Sequence, residues 1–400
     1  MKILHVAHFF YPCLSAGGVV NASYQIARMQ ARDNSVKVIS SDACKERLKF
    51  EESRYDVDID GIKVDYFKNI SNRFKLATML DTPIGAIFRI KNQIRDFDVV
   101  HVHEHRQTLS IIACYFARRY GIPYVVQAHG SVLPFFQKEG LKNIFDKVFG
   151  FKILHGASKV FALTEVEKEQ YLKMGVEEDR IEIVPLGINI EEYSDLPEEG
   201  IFREKFNISK DDKLIIFIGR VHEIKGLDLL IDAFKELADS EDDVKLAIVG
   251  PDDGYMDALN LRIAECDLSD KVIVTGPLYK SEKQEALVDC DLFVMPSKYE
   301  SFTTSGLEAM ACGKPLVLTK NNHIHDWADG SVGLACDDDK MSLKDAMAEV
   351  LFDEELSKKF GMNGRRLIQE KYNWDMINEQ ILNIYESIIL FIFHWYLEKS

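Results

Sequence analysis

Two successive series of alternating strands and helices constrain the fold of this chain more than any other feature of its sequence. Short runs rich in Val, Ile and Leu, with the length of buried strands, alternate with amphipathic stretches. The predicted strands are KILHVAHF, SVKVISS, GIKVDYF, DVVHVH, PYVVQAHG, KVFALT and IEIVPLG in the first half, and KLIIFIGR, VKLAIVG, KVIVTG, LFVMPS and PLVLT in the second. This alternation predicts two doubly wound α/β domains.

The boundary between the two domains is predicted in the acidic, turn-rich segment from Leu186 to Gly200. A chain of 400 residues is too long for one ordinary core. We expect an N-terminal domain over residues 1–190, a second domain over residues 200–372 and a C-terminal segment over residues 373–400. Ligands bind beyond the carboxyl ends of the strands in such sheets, so two domains with facing strand ends would form a cleft.

Composition indicates a soluble globular protein, with 46% hydrophobic and 28% charged residues. Seven scattered cysteines without C-x-x-C favour a reduced, cytoplasmic compartment over a disulfide framework or a zinc site. The N-terminal MKILHVAHFFYP is interpreted as the first strand and not as a signal peptide. No uninterrupted apolar run reaches the roughly 20 residues of a membrane-spanning helix.

Positive charge is concentrated in the first part of the chain, although the whole chain has a formal net charge of −16. Residues 1–160 contain 23 Lys and Arg against 15 Asp and Glu, a net charge of +8, whereas residues 161–400 contain 26 against 50, a net charge of −24. The asymmetry is either a chance shift or a sign that the first domain faces an anionic partner. Nucleic acid is not expected, because no basic helix carries interleaved aromatic residues.

Two motifs after predicted strands could bind anions. Gly17 and Gly18, in AGGVV, would let a ligand approach the backbone before a helix, or would form a simple tight turn. Their spacing is not the G-x-G-x-x-G dinucleotide fingerprint. In FIGRVHEIKG, Arg220 and Lys225 could together bind a diphosphate; the alternative is a solvated loop before a helix.

The stretch YESFTTSGLEAMACGKP contains Glu300 and Glu308 with seven residues between them. Ser305 and Glu308 fit the S-x-x-E capping box, which predicts a helix that begins there and stops at Gly313. Glu300 then lies in a loop, and Glu308 in a first helical turn. In the simplest interpretation Glu300 is an exposed loop acid and Glu308 a helix cap. The backbone N–H groups of residues 303–305 would form a second anion site.

Two further patterns resemble metal sites but are interpreted otherwise. DVDIDG, residues 56–61, contains D-x-D and is predicted to form a hairpin turn before the next strand. HVHEH places His101, His103 and His105 on one strand face. No spaced carboxylate or cysteine partner is evident, so these histidines are expected at a strand end that opens on the cleft, without a metal.

Glu300, Glu308 and the AMACGKPLV after them resemble the E-x7-E signature of the retaining family 4 (group 1) glycosyltransferases. The Arg220–Lys225 spacing, the glycine pair, AHGS at residues 128–131 and VPLGIN at residues 184–189 match the same family, in its order, over nearly the whole chain. The resemblance implies a GT-B fold of two doubly wound Rossmann-like domains facing an interdomain cleft. The acceptor would bind the first domain and a nucleotide-sugar the second.

The resemblance also implies roles in the second domain. Arg220 and Lys225 would neutralise the donor diphosphate. Glu308 would bind the ribose hydroxyls, and Glu300 would contact the transferred sugar. Where the family usually has Gly and an aliphatic residue, this chain has Thr303 and Thr304, which with Ser305 would contact the donor.

In the first domain, the resemblance implies that Gly17 and Gly18 face the phosphates and that His129 lies near the reacting carbon. The expected enzyme is a retaining hexosyltransferase that needs neither a metal nor a cofactor, since the nucleotide-sugar is a substrate. Its expected acceptor is a growing surface glycan, with a lipid-linked form as one alternative. A nucleotide-sugar epimerase and a non-catalytic donor-binding subunit are the other functions that fit the same fold.

The tail SIILFIFHWYLEKS is unusually apolar between Ile388 and Leu397. Ten residues are too few to span a bilayer. The tail is either a final helix that packs back on the N-terminal domain, as the last helix of the family commonly does, or an interfacial anchor in which Trp395 and Tyr396 meet lipid headgroups. An anchor would place the enzyme at the inner face of the membrane, beside a lipid-linked acceptor.

Overall fold

The computed structural model describes residues 1–13, 17–44, 48–49, 54–70, 83, 85–134 and 139–399, with side chains described as far as residue 394. The chain divides into two compact units. The first comprises Met1–Leu186 with Trp374–Ser400, and the second comprises Gly187–Asn373. Each unit contains one sheet with helices packed on it, and the prediction of two doubly wound α/β domains is confirmed.

The sheet of the first unit has the strand order β3-β4-β2-β1-β5-β6-β7-β8. Its strands are parallel except for the β3–β4 hairpin, and the central ones are buried along most of their length, which explains their continuous apolar runs. The chain reverses its direction of sheet growth between β1 and β5. The strands are β1 Lys2–Ala7, β2 Ser35–Ser41, β3 Val57–Ile59, β4 Ile62–Phe67, β5 Val99–His103, β6 Tyr124–Gln127, β7 Lys159–Ala162 and β8 Ile181–Ile183.

The helices of the first unit connect these strands and cover the sheet. Among the described residues they are α1 Gly18–Gln30, α2 Ala86–Gln93, α3 Thr108–Tyr120, α4 Glu139–Phe145, α5 Phe151–Gly156, α6 Glu165–Lys173 and the C-terminal α15 Trp374–Lys399. A π-helical turn, Asp146–Gly150, joins α4 to α5.

Helix α15 packs against the first unit through one stripe of buried side chains. Trp374, Ile377, Ile381, Tyr385 and Ile388 recur every three or four residues, which is the spacing of one helical face. By length and composition alone, Trp374–His394 could cross a membrane, at a mean hydropathy of 1.2. The helix passes this test with polar residues interspersed, whereas the prediction from the sequence concerned uninterrupted apolar runs. Core helices of soluble proteins pass the same test.

The second unit contains a six-stranded parallel sheet of order β11-β10-β9-β12-β13-β14. Its strands are β9 Lys213–Ile218, β10 Val244–Val249, β11 Val272–Gly276, β12 Leu292–Met295, β13 Leu316–Thr319 and β14 Gly333–Cys336. Its helices are α7 Ile201–Lys205, α8 Leu227–Ala238, α9 Met256–Glu265, α10 Ser281–Asp289, α11 Thr304–Ala311, α12 His325–Ala328, α13 Lys340–Phe352 and α14 Glu354–Glu370. The strand order reverses between β9 and β12, and this reversal positions the candidate site.

Candidate active site

The predicted diphosphate-binding cations lie at the carboxyl end of β9, where the strand order of the second sheet reverses. Arg220 follows β9 by two residues, and Lys225 ends the 3-10 turn Glu223–Lys225. Asp253 belongs to the loop after the neighbouring β10, and Glu300 to the loop after β12. This is the position at which doubly wound sheets bind ligands.

Gly226 allows the Lys225 loop to approach the loop after β12. Its backbone is left-handed, at φ 65°, and a Cβ atom there would collide with the carbonyl oxygen of Pro296. The N–H of Lys298 donates to the carbonyl of Ile224 at 2.9 Å, which joins the same two loops. Only glycine combines this backbone conformation with so close an approach.

Both cations are paired with carboxylates. Lys225 bonds to Glu300, and both side chains are largely buried, at 13% and 14% exposure. Arg220 bonds to Asp253 in a pair that is 51% and 42% exposed. An exposed pair of this kind contributes little to stability, so an incoming anion can displace Asp253 at small cost.

The loop that carries Glu300 is held to the strand beside it. The N–H of Glu300 donates to the carbonyl of Asn321 at 3.2 Å, and its carbonyl accepts from the N–H of His323 at 2.8 Å. Between them, the buried amide of Asn322 donates to the carbonyl of Met295 at 2.9 Å. The interpretation of Glu300 as an exposed loop acid is therefore wrong.

Helix α11 begins at Thr304, and its N-cap is Thr303. The Thr303 hydroxyl accepts from the N–H of Gly306 at 3.1 Å. Ser305 donates its hydroxyl to the carbonyl of Ile218, at the end of β9, at 2.9 Å. The predicted capping box of Ser305 and Glu308 is wrong, because the hydroxyl of Ser305 is used to join α11 to the sheet. The helix ends before Gly313, as predicted.

Glu308 bonds to Lys283 of α10 at 2.6 Å and does not cap the helix. Tyr193 lies beside it, and burial together with the nearby carboxylate raises the pKa of this tyrosine. The prediction that Glu308 lies in the first helical turn is wrong, because α11 begins at Thr304 and places Glu308 in its second turn. A cation from the neighbouring helix holds its carboxylate. Arg220, Lys225, Glu300, Ser305 and Glu308 thus all lie on elements that meet near β9 and β12.

Gly17 and Gly18 lie in the first unit, at the start of α1. Gly17 is the N-cap, with φ 86°, and no atom of the described residues lies within 4 Å of a Cβ built on it. Gly18 is the first helical residue, as expected for a glycine pair before a helix N-terminus. Ala16 of the same motif lies outside the described residues.

His129 lies in the turn after β6, and a buried glutamate supports this turn. The backbone of His129 is left-handed, at φ 52°. Glu167 accepts from the N–H of Gly130 at 2.6 Å and from the N–H of Leu163 at 2.6 Å. Burial raises the pKa of Glu167 to about 7 against the influence of these donors. Glu167 was not among the predicted site residues, although T-x-x-E over residues 164–167 is a capping-box pattern.

His101 and His103 belong to a buried histidine cluster that does not open on solvent. Both are fully buried, and so is His5, which lies opposite His101 in the register of β1 and β5. Nitrogen atoms of His5, His101 and His103 lie within 4.8 Å of one another. The prediction that these histidines line an open strand end is wrong. The missed signal was His5, at a matching position on the neighbouring parallel strand.

The side chain of His105 lies near Asp146 and not in the cluster of His101 and His103. Strand β5 ends at His103, and Glu104 turns the chain with a left-handed φ of 65°. The Nε2 atom of His105 lies 3.7 Å from Asp146, and burial lowers the pKa of His105 to about 4. The prediction of three histidines on one face fails because the strand is two residues shorter than the pattern.

The D-x-D segment forms the predicted hairpin turn between β3 and β4. Asp60 and Gly61 occupy the turn with left-handed φ values of 52° and 82°. Asp58 accepts from the N–H of Gly61 at 3.1 Å and pairs with Lys63 at 2.7 Å. The carboxylates therefore organise the turn and its strands.

A disulfide joins Cys13 to Cys44. This bond was not predicted, because the scattered cysteines favoured a reduced compartment over a disulfide framework. The parallel neighbours β1 and β2 bring the loops after both strands to the same sheet edge, and spacing along the chain cannot reveal this. Cys114, Cys266, Cys290, Cys312 and Cys336 are free.

Comparison with known proteins identifies two family models. "Glycosyltransferase Family 4" matches residues 16–192, and "Glycosyl transferases group 1" matches residues 198–367. Together they extend over most of the first unit and nearly all of the second.

Two curated relatives and one solved structure illustrate the similarity. The D-inositol 3-phosphate glycosyltransferase of Xylanimonas cellulosilytica is 26% identical over 58% of this chain and 58% of its own length. The phosphatidyl-myo-inositol mannosyltransferase of Mycobacterium leprae is 27% identical over 73% of this chain and 74% of its own. Anabaena Alr3699/HepE, crystallised with UDP and glucose, superposes with a TM-score of 0.75 at 19% identity over 97% of this chain and 100% of its own.

The two doubly wound sheets agree with the fold of the Anabaena protein, and the paired family models match successive parts of the chain in the order of the two units. This chain belongs to the group 1 (family 4) glycosyltransferases and is a glycosyltransferase with the GT-B fold.

Proposed function

We propose that this enzyme is a retaining glycosyltransferase that moves a hexose from a nucleotide-sugar to a glycan acceptor without a metal ion. The observation that carries the proposal is the arrangement at the strand reversal of the second unit. There Arg220 and Lys225 follow β9, Lys225 pairs with Glu300 of the loop after β12, and Ser305 joins the start of α11 to β9.

The charges at this position suit a departing nucleoside diphosphate. Arg220 and Lys225 would exchange their carboxylate partners for phosphate oxygens. The first turn of α11, at Thr304 and Ser305, has N–H groups that lack partners within the helix and favour an anion. Two cations and a helix start stabilise the leaving group as its negative charge grows, which is the task that a metal performs in other transferases.

The release of Lys225 would leave Glu300 free beside the sugar. A carboxylate there stabilises positive charge on the reacting carbon. In a same-face attack the leaving phosphate accepts the proton of the acceptor hydroxyl, so that no separate base is required. The product then retains the anomeric configuration of the donor.

Donor identity and stereochemistry can be tested in sequence. The Anabaena structure contains UDP and glucose, so UDP-glucose is the first donor to include in a thermal-shift series with GDP- and ADP-sugars. A ligand that binds the folded state raises the melting temperature. With the donor identified, NMR of the first-formed glycoside should show the donor's anomeric configuration, and excess chelator should leave turnover unchanged. An inverted product would contradict retention, and loss of turnover in chelator would contradict metal independence.

The two other functions that fit the fold are separated by omitting the acceptor. An epimerase converts the donor sugar alone, whereas a transferase gives at most slow hydrolysis. A non-catalytic subunit binds the donor and converts nothing under either condition.

We also propose that the first unit contacts an anionic membrane that carries the acceptor. The segment from α4 to α5, residues 139–156, exposes Leu141, Ile144, Val148, Phe149 and Phe151 beside Lys147 and Lys152. We call this the apolar–basic surface. Exposed apolar side chains interspersed with lysine are typical of helices that lie in a membrane interface.

The end of α15 is a second exposed apolar region. Leu390, Phe391 and Phe393 are exposed beyond the buried stripe of the helix. The side chains of Trp395 and Tyr396, the predicted headgroup contacts, lie outside the described residues. The Mycobacterium leprae relative is named for a lipid, phosphatidyl-myo-inositol, which agrees with a membrane-borne acceptor in this family.

A further inference from the structure

A continuous chain of hydrogen bonds runs from His129 through two histidines to Gln30. The Nε2 atom of His129 lies 2.9 Å from Nδ1 of His103. The Nε2 atom of His103 lies 3.0 Å from Nδ1 of His5, and Nε2 of His5 lies 2.8 Å from Oε1 of Gln30. His5, His103 and Gln30 are fully buried.

The amide oxygen of Gln30 determines the direction of the whole chain. An oxygen can only accept, so Nε2 of His5 carries a proton and its Nδ1 is left as an acceptor. His103 must then donate from Nε2 and accept at Nδ1, and His129 must donate from Nε2. If each imidazole is neutral, its proton therefore lies on Nε2. The Nδ1 atom of His129 makes no hydrogen bond to any described residue.

The surroundings of the chain oppose protonation. Burial lowers the pKa of His5 to about 4 and that of His129 to about 3, and it holds the pKa of His103 well below its usual value. The neighbouring His101 bonds to Tyr385 of α15 at 2.6 Å. Two side chains of α6 also lie nearby. Glu167 accepts a hydrogen bond from the N–H of Gly130, and the hydroxyl of Tyr171 accepts one from the N–H of Ala128. Both groups therefore bind the backbone beside His129, and neither forms a hydrogen bond with its ring.

We propose that Gln30, His5 and His103 are positioning residues that hold His129 as a neutral imidazole with its proton on Nε2. The inference rests on the proposed function, in which positive charge develops on the sugar carbon, and on the family resemblance, which implies that His129 lies near that carbon. A cationic histidine there would repel that charge, whereas a neutral ring held in one orientation would not. The hydrogen bonds from Gln30 to His129 hold the neutral ring without a carboxylate partner, and such a partner would favour the cationic ring.

The state of His129 can be measured without any reaction. In the full-length protein labelled with 15N-histidine, long-range NMR spectra distinguish the two neutral tautomers and the cation. The His129 signals are assigned by their loss in His129→Gln. We expect the Nε2–H tautomer for His129, His103 and His5, unchanged between pH 8 and pH 5.5. A proton on Nδ1 of His129, or a cation at pH 6, would overturn the proposal even if the enzyme proves to be an active transferase.

Two substitutions of His103 distinguish the loss of its hydrogen bond to His129 from the loss of side-chain packing. His103→Asn places an oxygen near the position of Nδ1 and keeps an acceptor for His129, whereas His103→Leu removes it. We expect kcat to fall about tenfold in His103→Leu, the rate equivalent of one hydrogen bond, and less than about threefold in His103→Asn, with KM for the donor unchanged in both. His103→Leu should also give a mixture of His129 tautomers.

His105→Leu is the matched control, because His105 is equally buried on the same segment but lies outside the chain. It should leave the spectrum of His129 and kcat unchanged, whatever it does to the melting temperature. Equal losses of kcat in the His103→Leu and His105→Leu variants, with native His129 spectra in both, would refute the positioning role. If no donor supports turnover, the proposed function fails, while the tautomer measurement still decides this inference.

Discussion

Arg220 and Lys225 carry the charges on which donor binding would depend. Substitution of either by Ala should lower kcat/KM at least about 100-fold, the scale on which an enzyme loses one group that stabilises a developing anion. The measurement is steady-state kinetics with saturating acceptor. Lys235→Ala is the control, since Lys235 pairs with Asp239 on the exposed surface of α8 in the same unit. Near-native turnover in both site variants would refute the diphosphate assignment.

While Glu300 is paired with Lys225, it competes with the donor phosphates for this lysine. Glu300→Gln removes the charge, so Lys225 becomes available to phosphate. We expect this variant to bind the free nucleoside diphosphate at least as tightly as the native enzyme in calorimetry, while kcat falls about tenfold or more through loss of the carboxylate near the sugar. Weaker diphosphate binding with unchanged kcat would contradict this division of roles.

The roles of these residues could be predicted from the sequence only through their residue types and their positions after predicted strands. The sequence places cations and glutamates after strands, and family resemblance adds their spacing. It does not show that Lys225 bonds to Glu300, 75 residues away along the chain, because that contact depends on β9 and β12 being neighbours.

Helix α6 illustrates how one local pattern can have two outcomes. T-x-x-E at residues 164–167 and S-x-x-E at residues 305–308 are equivalent capping-box signals. Thr164 does cap α6, through a 3.2 Å bond from the N–H of Glu167. Ser305 does not cap α11, because Thr303 takes that place and Ser305 bonds to β9. Competition from tertiary partners therefore decides which pattern is used.

Glu167 should make the stability of the first unit depend on pH. Its pKa is about 7 in the folded protein and near the ordinary 4.5 when unfolded. The folded state thus favours the protonated acid, and this contribution is complete below about pH 4.5 and is lost as pH rises through about 7. Relative to Glu167→Gln, the native free energy of unfolding should fall by about 3 kcal/mol over this range.

Urea unfolding at pH 4.5, 6 and 7.5 checks this difference in slope. Glu165→Gln is the control, because Glu165 lies in the same helical turn and is exposed; it should keep the native pH dependence. Parallel curves for the native protein and Glu167→Gln would show that the two backbone donors keep Glu167 ionised throughout.

At the scale of the whole molecule, uneven charge and exposed apolar side chains predict where a membrane would bind. Vesicles that contain anionic lipid should carry the native chain upward in flotation, and less so at high salt, because the screening length falls from about 10 Å at 0.1 M salt to about 3 Å at 1 M. Ile144→Ser with Phe149→Ser, or removal of residues 390–400, should reduce the floated fraction severalfold. This deletion spares Ile388, the last buried residue of the α15 stripe.

The control for flotation replaces exposed apolar residues of the second unit. Leu261→Ser with Met362→Ser removes side chains of similar exposure from α9 and α14, and it should leave flotation unchanged. Equal flotation of all variants would show that neither the apolar–basic surface nor the tail contacts the membrane.

The strand and helix series, the two doubly wound domains, the D-x-D hairpin and the family motifs could all be predicted from the sequence. These features depend on local periodicity, turn chemistry and chain order. The Lys225–Glu300 pair, the Cys13–Cys44 bond and the hydrogen bonds from His129 to Gln30 could not be predicted in this way, because they join residues that are distant in sequence and meet only through the order of the parallel strands. The Thr303 cap is local, but it is used because β9 binds the hydroxyl of Ser305. No local pattern encodes which strands will be adjacent.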